Sequence, residues 1–159
     1  MKKETIFLKI TILVMALAMI AICIVVAPHY LIGAHNLLPN KLYLTIILGI
    51  GLYLTAILFY VVLYQAFKLL RLIDHDAAFS KKSVTALRNI KYCAYSMCIV
   101  YLLESPVFFI FADKDDAPGV ILICGVLAGA SLVIAIFASM LQKLLHHAIE
   151  IKSENDLTI

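Results

Sequence analysis

The sequence predicts an all-α integral membrane protein, a four-helix bundle with both termini on the cytoplasmic side. Three observations predict it. Of 159 residues, 64% are apolar and 14% charged, and mean hydropathy is +1.04; soluble domains are about half apolar and a quarter charged. The apolar residues gather into four runs, 10–32, 42–67, 92–112 and 119–141, each long enough for a hydrocarbon layer about 30 Å thick. Eleven of the thirteen Lys and Arg residues then fall on one side of those runs, which the positive-inside rule assigns to the cytoplasm. Residues 1–159 read as one membrane domain, with too little polar chain left for a second, soluble one.

The elements follow in order. Lys2, Lys3 and Lys9 form a basic lead into the first run. That run exceeds the 7–15 residues of a signal h-region, and Cys23 follows Ile22 where a bacterial lipoprotein signal needs a small residue, so it reads as an uncleaved span. A polar connector, 33–41, leads to the second run, whose Tyr60, Tyr64 and Phe67 gather beside Lys68 and Arg71 in the manner of an interfacial aromatic belt. The long connector 68–91 carries six Lys and Arg residues. Within it Ser80 is a helix N-cap, with Phe79 as the apolar residue before it. The helix it starts runs directly into the third span. Asp113 to Pro118 turn the chain into the fourth span, and the tail 142–159 continues as a cytoplasmic helix. The four prolines form two similar pairs, Pro28 with Pro39 and Pro106 with Pro118, as two parallel hairpins would.

Composition excludes several functions. A net charge of +3 spread over connectors gives no basic face for direct nucleic-acid binding. Cys23, Cys93, Cys98 and Cys124 lie inside apolar runs without C-x-x-C spacing, which suits inert packing. No catalytic triad, nucleophile elbow, phosphate loop or zinc-protease motif is present. The expectation is a protein without enzymatic activity, cofactor or metal.

Glu104 is the one acidic residue inside an apolar run. Charged side chains at the bilayer centre cost roughly 2.5–3.5 kcal/mol on insertion scales and usually face protein or water. Pro106 has no N–H for the Leu102 carbonyl, so Glu104, Ser105 and that carbonyl can form a polar notch, a proton or ion site. The alternative is a neutral acid hydrogen-bonded across helices, to Gln65 or a tyrosine. Asp113, Asp115 and Asp116 crowd around Lys114 as a candidate sensing turn, with His29 and His35 as further ligands, although calcium needs six to eight oxygens; the plainer reading is a solvated turn at a helix N-terminus. Gly125-x-x-x-Gly129, with Ala128, Ser131 and Ala135 near it, reads as a close-packing face, within the chain or to a second copy as a homo-oligomer. His146, His147 and Glu150 offer too few ligands for zinc. In the tail, Leu141, Leu144, Leu145 and Ala148 share a helical face, which Ile149 and Ile151 extend. Its mixed charges suit protein contact better than anionic lipid, so Phe79, Arg88, Leu144, Ile151 and Leu157 are candidate docking residues for a partner.

Phe79-Ser80, Leu87-Arg88-Asn89-Ile90, the turn Ala112-Asp113-Lys114-Asp115-Asp116-Ala117-Pro118-Gly119 and the ending Glu154-Asn155-Asp156-Leu157-Thr158 together resemble a family of small four-span bacterial membrane proteins known only as a domain of unknown function. The resemblance covers most of the chain and is sharpest from Phe79 onward; valine is expected where Ile159 stands. It implies a protein of the bacterial cytoplasmic membrane, encoded beside a small Cro/CI-type helix-turn-helix regulator that it would hold at the cytoplasmic face. It brings no catalytic residues. Two functions are therefore expected: a membrane-embedded binding protein for such a regulator, or a small oligomeric transporter or channel subunit that uses Glu104.

Overall fold

The computed structural model describes residues 2–75 and 77–157, with side chains described for 5–75 and 77–155. The chain forms α1 (Lys2–Ala21), a π-helical turn (Ile22–Val26), α2 (Ala27–Leu37), α3 (Leu42–Asp74), α4 (Lys81–Lys114) and α5 (Gly119–Leu157). The first three are continuous. Among the described residues, four helical segments are long and apolar enough to cross a membrane, and the fold is an all-α membrane bundle.

The helices outrun the apolar runs. Nothing breaks the first span before Pro39, so it stays helical to Leu37 and the connector shrinks to 38–41. The connector 68–91 likewise shrinks to 75–80, because α3 continues to Asp74 and α4 starts at Lys81. Ser80 caps α4 as expected, its side chain accepting from the Ser83 N–H at 3.4 Å. Ser83, fully buried, ties the connector down by donating to the Ala77 carbonyl. At 33 residues, α3 is about 50 Å long at 1.5 Å per residue, well beyond the hydrocarbon layer. The start of α1, the end of α5 and the turn between α3 and α4 therefore share one end of the bundle, here the terminal end. The turns at 38–41 and 115–118 share the other, the turn end.

The two in-span prolines are handled differently, so the hairpins are not copies. Around Pro28 the helix widens, and the Ala27 N–H donates to the Ile22 carbonyl. Pro28 has no N–H for Cys23, and the Tyr53 hydroxyl donates to that carbonyl at 3.4 Å. At Pro106, α4 continues unbroken, and the Leu102 carbonyl that it frees accepts from the Ser105 hydroxyl at 2.8 Å. In each case a hydroxyl satisfies a carbonyl that lipid cannot.

Packing is sequential. The first span lies on α3, α3 on α4, and α4 on α5; α2 also touches α4, while among the described residues the first span and α5 share no extended contact. The Tyr60 hydroxyl, rather than sitting in an interfacial belt, donates to the Ala16 carbonyl at 2.9 Å and holds α1 on α3. The Lys9 ammonium donates to the Asp74 carboxylate and holds the same pair at the terminal end. Apolar packing forms two clusters. Toward the turn end lie Ala34, Leu44, Leu48, Val107 and Phe111; toward the terminal end lie Ala94, Met97 and Ala135, with Leu58 and Val62 against them.

On α5 the buried stripe is Cys124, Ala128, Ser131, Ala135 and Ala138. These small residues form the seam against α4. Gly125 and Gly129 are exposed beside it, and a β-carbon on either would meet nothing within 4 Å. The expected glycine face is therefore not the seam inside the chain.

Candidate functional site

Glu104 lies between the two apolar clusters, where α3 and α4 cross the middle of the bundle. Only 5% of it is exposed. Its carboxyl rests on the α3 backbone at Gly51, in the space that a β-carbon there would occupy. Thr55, one turn along α3, is also buried and donates to the Leu52 carbonyl at 3.0 Å. Tyr101, one turn along α4, meets Thr55, and Tyr101 and Cys124 are near enough for a charge on Glu104 to reach them. The Cys124 thiol in turn donates to the Tyr101 carbonyl at 3.5 Å. Among the described residues, Glu104 Oε1 has no hydrogen-bond partner.

This arrangement differs from the expected notch. Ser105 is exposed on the far side of α4 and is occupied by the Leu102 carbonyl, so neither group reaches Glu104. Gln65 is fourteen residues past Gly51 on α3, about 21 Å along the helix, and cannot meet Glu104. Its Oε1 is buried without a partner in a separate place. The residue missed in the sequence is Gly51. Depth is the signal that could have found it: Gly51 is nine residues from the start of α3 and Glu104 ten from the end of α4, so an antiparallel pair brings them level.

At the turn end the three aspartates part. Asp115 faces a cleft of about 420 Å³ between α2 and the start of α5, with His29, Tyr30 and Asn36 around it. Asp113 and Asp116 face a smaller cleft of about 220 Å³ on the other side, near Phe109 and Pro118. His35 lines neither. Among the described residues, no three His, Cys, Asp or Glu side chains converge as metal ligands do. Asp116 takes φ 51°, and the Ala117 N–H donates to the Ala112 carbonyl at 3.0 Å. That closes α4 with a left-handed cap of the Schellman type, a place usually held by glycine.

At the terminal end, α5 lies along the start of α4, so the two candidate docking segments are side by side. Phe79, Leu87, Leu144 and Leu145 line an apolar groove of about 390 Å³, completed by Leu69 and Ile73 of α3. Across the α4–α5 contact, Lys81, Val84, Ile149 and Glu150 line a second groove of about 470 Å³. Arg88 and Ile151 are exposed and line neither groove. The side chain of Leu157 lies outside the described residues. His146 and His147 both face Glu150, at 3.3 and 3.6 Å.

Four lipid-length helices, a carboxyl sealed in their middle and wide grooves at both ends define an integral membrane protein of the helical-bundle class. The chain belongs to the family described as "Protein of unknown function (DUF2975)", whose family model matches residues 10–159. It is 51% identical over 158 residues to the Uncharacterized membrane protein YoaS of Bacillus subtilis (strain 168), covering 99% of both chains. No solved structure matches the chain.

Proposed function

We propose that the protein is a non-catalytic binding protein of the bacterial cytoplasmic membrane, oriented with both termini inside, that holds a small helix-turn-helix regulator of the Cro/CI type at its cytoplasmic face. One observation carries the reading: the apolar groove that joins Phe79 and Leu87 to Leu144 and Leu145. It lies where α3 and α5 have outrun the hydrocarbon layer, and Phe79 and Leu144 are 60% and 66% exposed there. Exposed apolar patches rimmed by polar groups mark interaction sites. An amphipathic helix of the regulator fits a groove of this kind.

The test is co-expression with a small helix-turn-helix protein of the Cro/CI type from the same genome, beginning with any encoded next to this chain. The regulator should sediment with the membrane, and Leu144→Glu or truncation after Gln142 should release it while the four spans stay inserted. Retention at wild-type levels after truncation would place the docking surface elsewhere and end this reading.

A second reading rests on the unpartnered Oε1 of Glu104. Under it the protein is a small oligomeric transporter or channel subunit, with Glu104 carrying a proton or a monovalent cation through the bilayer. Reconstituted vesicles should then show a proton or sodium flux that Glu104→Gln removes. Equal flux with wild-type, Glu104→Gln and empty vesicles would refute it.

A further inference from the structure

Neither reading uses the turn-end cleft. Its shape comes from the register of α2, where His29, Tyr30, Gly33, Ala34 and Leu37 recur at helical spacing and so share one face. Opposite them stand Phe111 near the end of α4, Asp115 at its cap and Val120 in α5. The floor is apolar, with Ala34 and Phe111 buried. The mouth is polar, with His29, Asn36 and Asp115 exposed. A site of about 420 Å³ falls within the range of small-molecule pockets, which pair an apolar body with a few placed polar groups.

The charge pattern selects the ligand. Among the described residues, Asp115 is the only formally charged side chain lining the cleft. Asp113, Lys114 and Asp116, in the same turn, do not line the cleft. Asn36 and the Tyr30 hydroxyl offer neutral acceptors, and Asp115 is close enough to Tyr30 for its charge to act on that hydroxyl. The Tyr30 ring adds a face that attracts cations. An anion would meet Asp115 head-on. A bare cation would leave the apolar floor unused.

We propose that this cleft binds a primary ammonium group carried on a short apolar body, with the ammonium at Asp115 and the body over Phe111 and Ala34. The ammonium comes either from a free amine or from the headgroup of phosphatidylethanolamine, whose two-carbon link would take the place of the apolar body and whose phosphate would stay at the mouth, away from Asp115. Gly33 supplies the room: a β-carbon there would meet nothing within 4 Å, so a larger side chain would fill the cleft without disturbing the packing behind it. The site stands independently of the regulator reading, since the two ends of the bundle are tested separately.

The experiment is calorimetric titration of 2-phenylethylamine into the full chain, held in nanodiscs of phosphatidylglycerol. Saturable binding is expected, and 2-phenylethanol, which lacks only the charge, should bind at least about tenfold more weakly, as befits a charge-assisted hydrogen bond. Asp115→Asn should weaken the amine by a similar factor and Gly33→Leu should abolish its binding, with circular dichroism unchanged in both. Asp113→Asn, on the other side of the turn, should leave the affinity as it is. Nanodiscs half of phosphatidylethanolamine then assign the source: competition with the amine identifies the lipid headgroup, and its absence identifies a free amine. The proposal is overturned if the amine does not bind, if the alcohol binds equally well, or if Asp113→Asn weakens binding as much as Asp115→Asn.

Discussion

The carboxyl of Glu104 occupies the space that a β-carbon on Gly51 would fill. An acid side chain is thereby accommodated in a helix seam with no cavity made for it, because one residue of the opposing helix has no side chain at all. The fit is steric before it is polar: a β-carbon at 51 would force the Glu104 carboxyl to move. Gly51→Ala should lower stability in detergent by about 1–3 kcal/mol, the usual range for overpacking a tight core. Glu104→Gln keeps the volume and should not relieve that loss, whereas Glu104→Ala in the Gly51→Ala background should recover part of it. Additive losses in the Gly51→Ala, Glu104→Ala double mutant would show that the two residues do not share the space.

How much of this was legible in the sequence depends on what fixed it. Helix existence was set by composition and run length, and the Ser80 cap by local chemistry, so both could be read residue by residue. Burial of Glu104 against protein followed from the cost of charge in lipid. Its partner did not, because choosing Gly51 over Gly49, two residues away, needs the rotational register of α3 against α4. The same kind of register separates the buried Ala128 and Ser131 from the exposed Gly125 and Gly129 on α5. Asp115 parts from Asp113 by two residues at the end of the helix, about 200° of turn, and from Asp116 because α4 closes through that left-handed residue, a geometry that an acidic run does not announce.

The Ser105–Leu102 hydrogen bond is local to Pro106 and exposed on the outside of α4. Removing the hydroxyl with Ser105→Ala leaves a backbone carbonyl facing lipid. Hydrogen bonds within membrane helices average about 0.6 kcal/mol by double-mutant cycles, and a loss of that order is expected. Adding Pro106→Ala returns an N–H to Leu102 and should cancel it. Steric-trap or denaturant unfolding of the four variants in one detergent measures the cycle; an undiminished loss in the double variant would mean that the hydroxyl serves some other group.

Asp116, with its φ of 51°, offers a sharper backbone test. Left-handed geometry costs an L-residue roughly 1–2 kcal/mol, least for Asn, Asp and Gly. Asp116→Gly should therefore be neutral or slightly stabilising, and Asp116→Val should be destabilising by about that amount, as read from thermal unfolding in micelles. Because Asp116 does not line the cleft of Asp115, neither change should alter amine binding there.

The Lys9–Asp74 pair links the start of the first span to the end of α3, and it bears on topology as well as packing. Both residues lie at the terminal end, where eleven of the thirteen basic residues of the sequence gather. Reporter fusions at positions 36 and 115 should register outside the cell, and fusions at 78 and 155 inside. Lys9→Asp should loosen α1 from α3, since two acids then face one another, and should raise the rate at which a cysteine placed at position 16 is labelled from the α3 side. Because positive charge near a span sets its orientation, Lys9→Asp also weakens the signal that retains the N-terminus inside. Adding Asp74→Lys restores the pair with reversed sign and should restore slow labelling. Segment 68–91 keeps its six arginines and lysines in that double variant and gains a seventh, so the fusions at 78 and 155 should still read inside. Slow labelling in Lys9→Asp alone would show that Tyr53 and Tyr60 suffice to hold the first span and that the ion pair adds nothing to it.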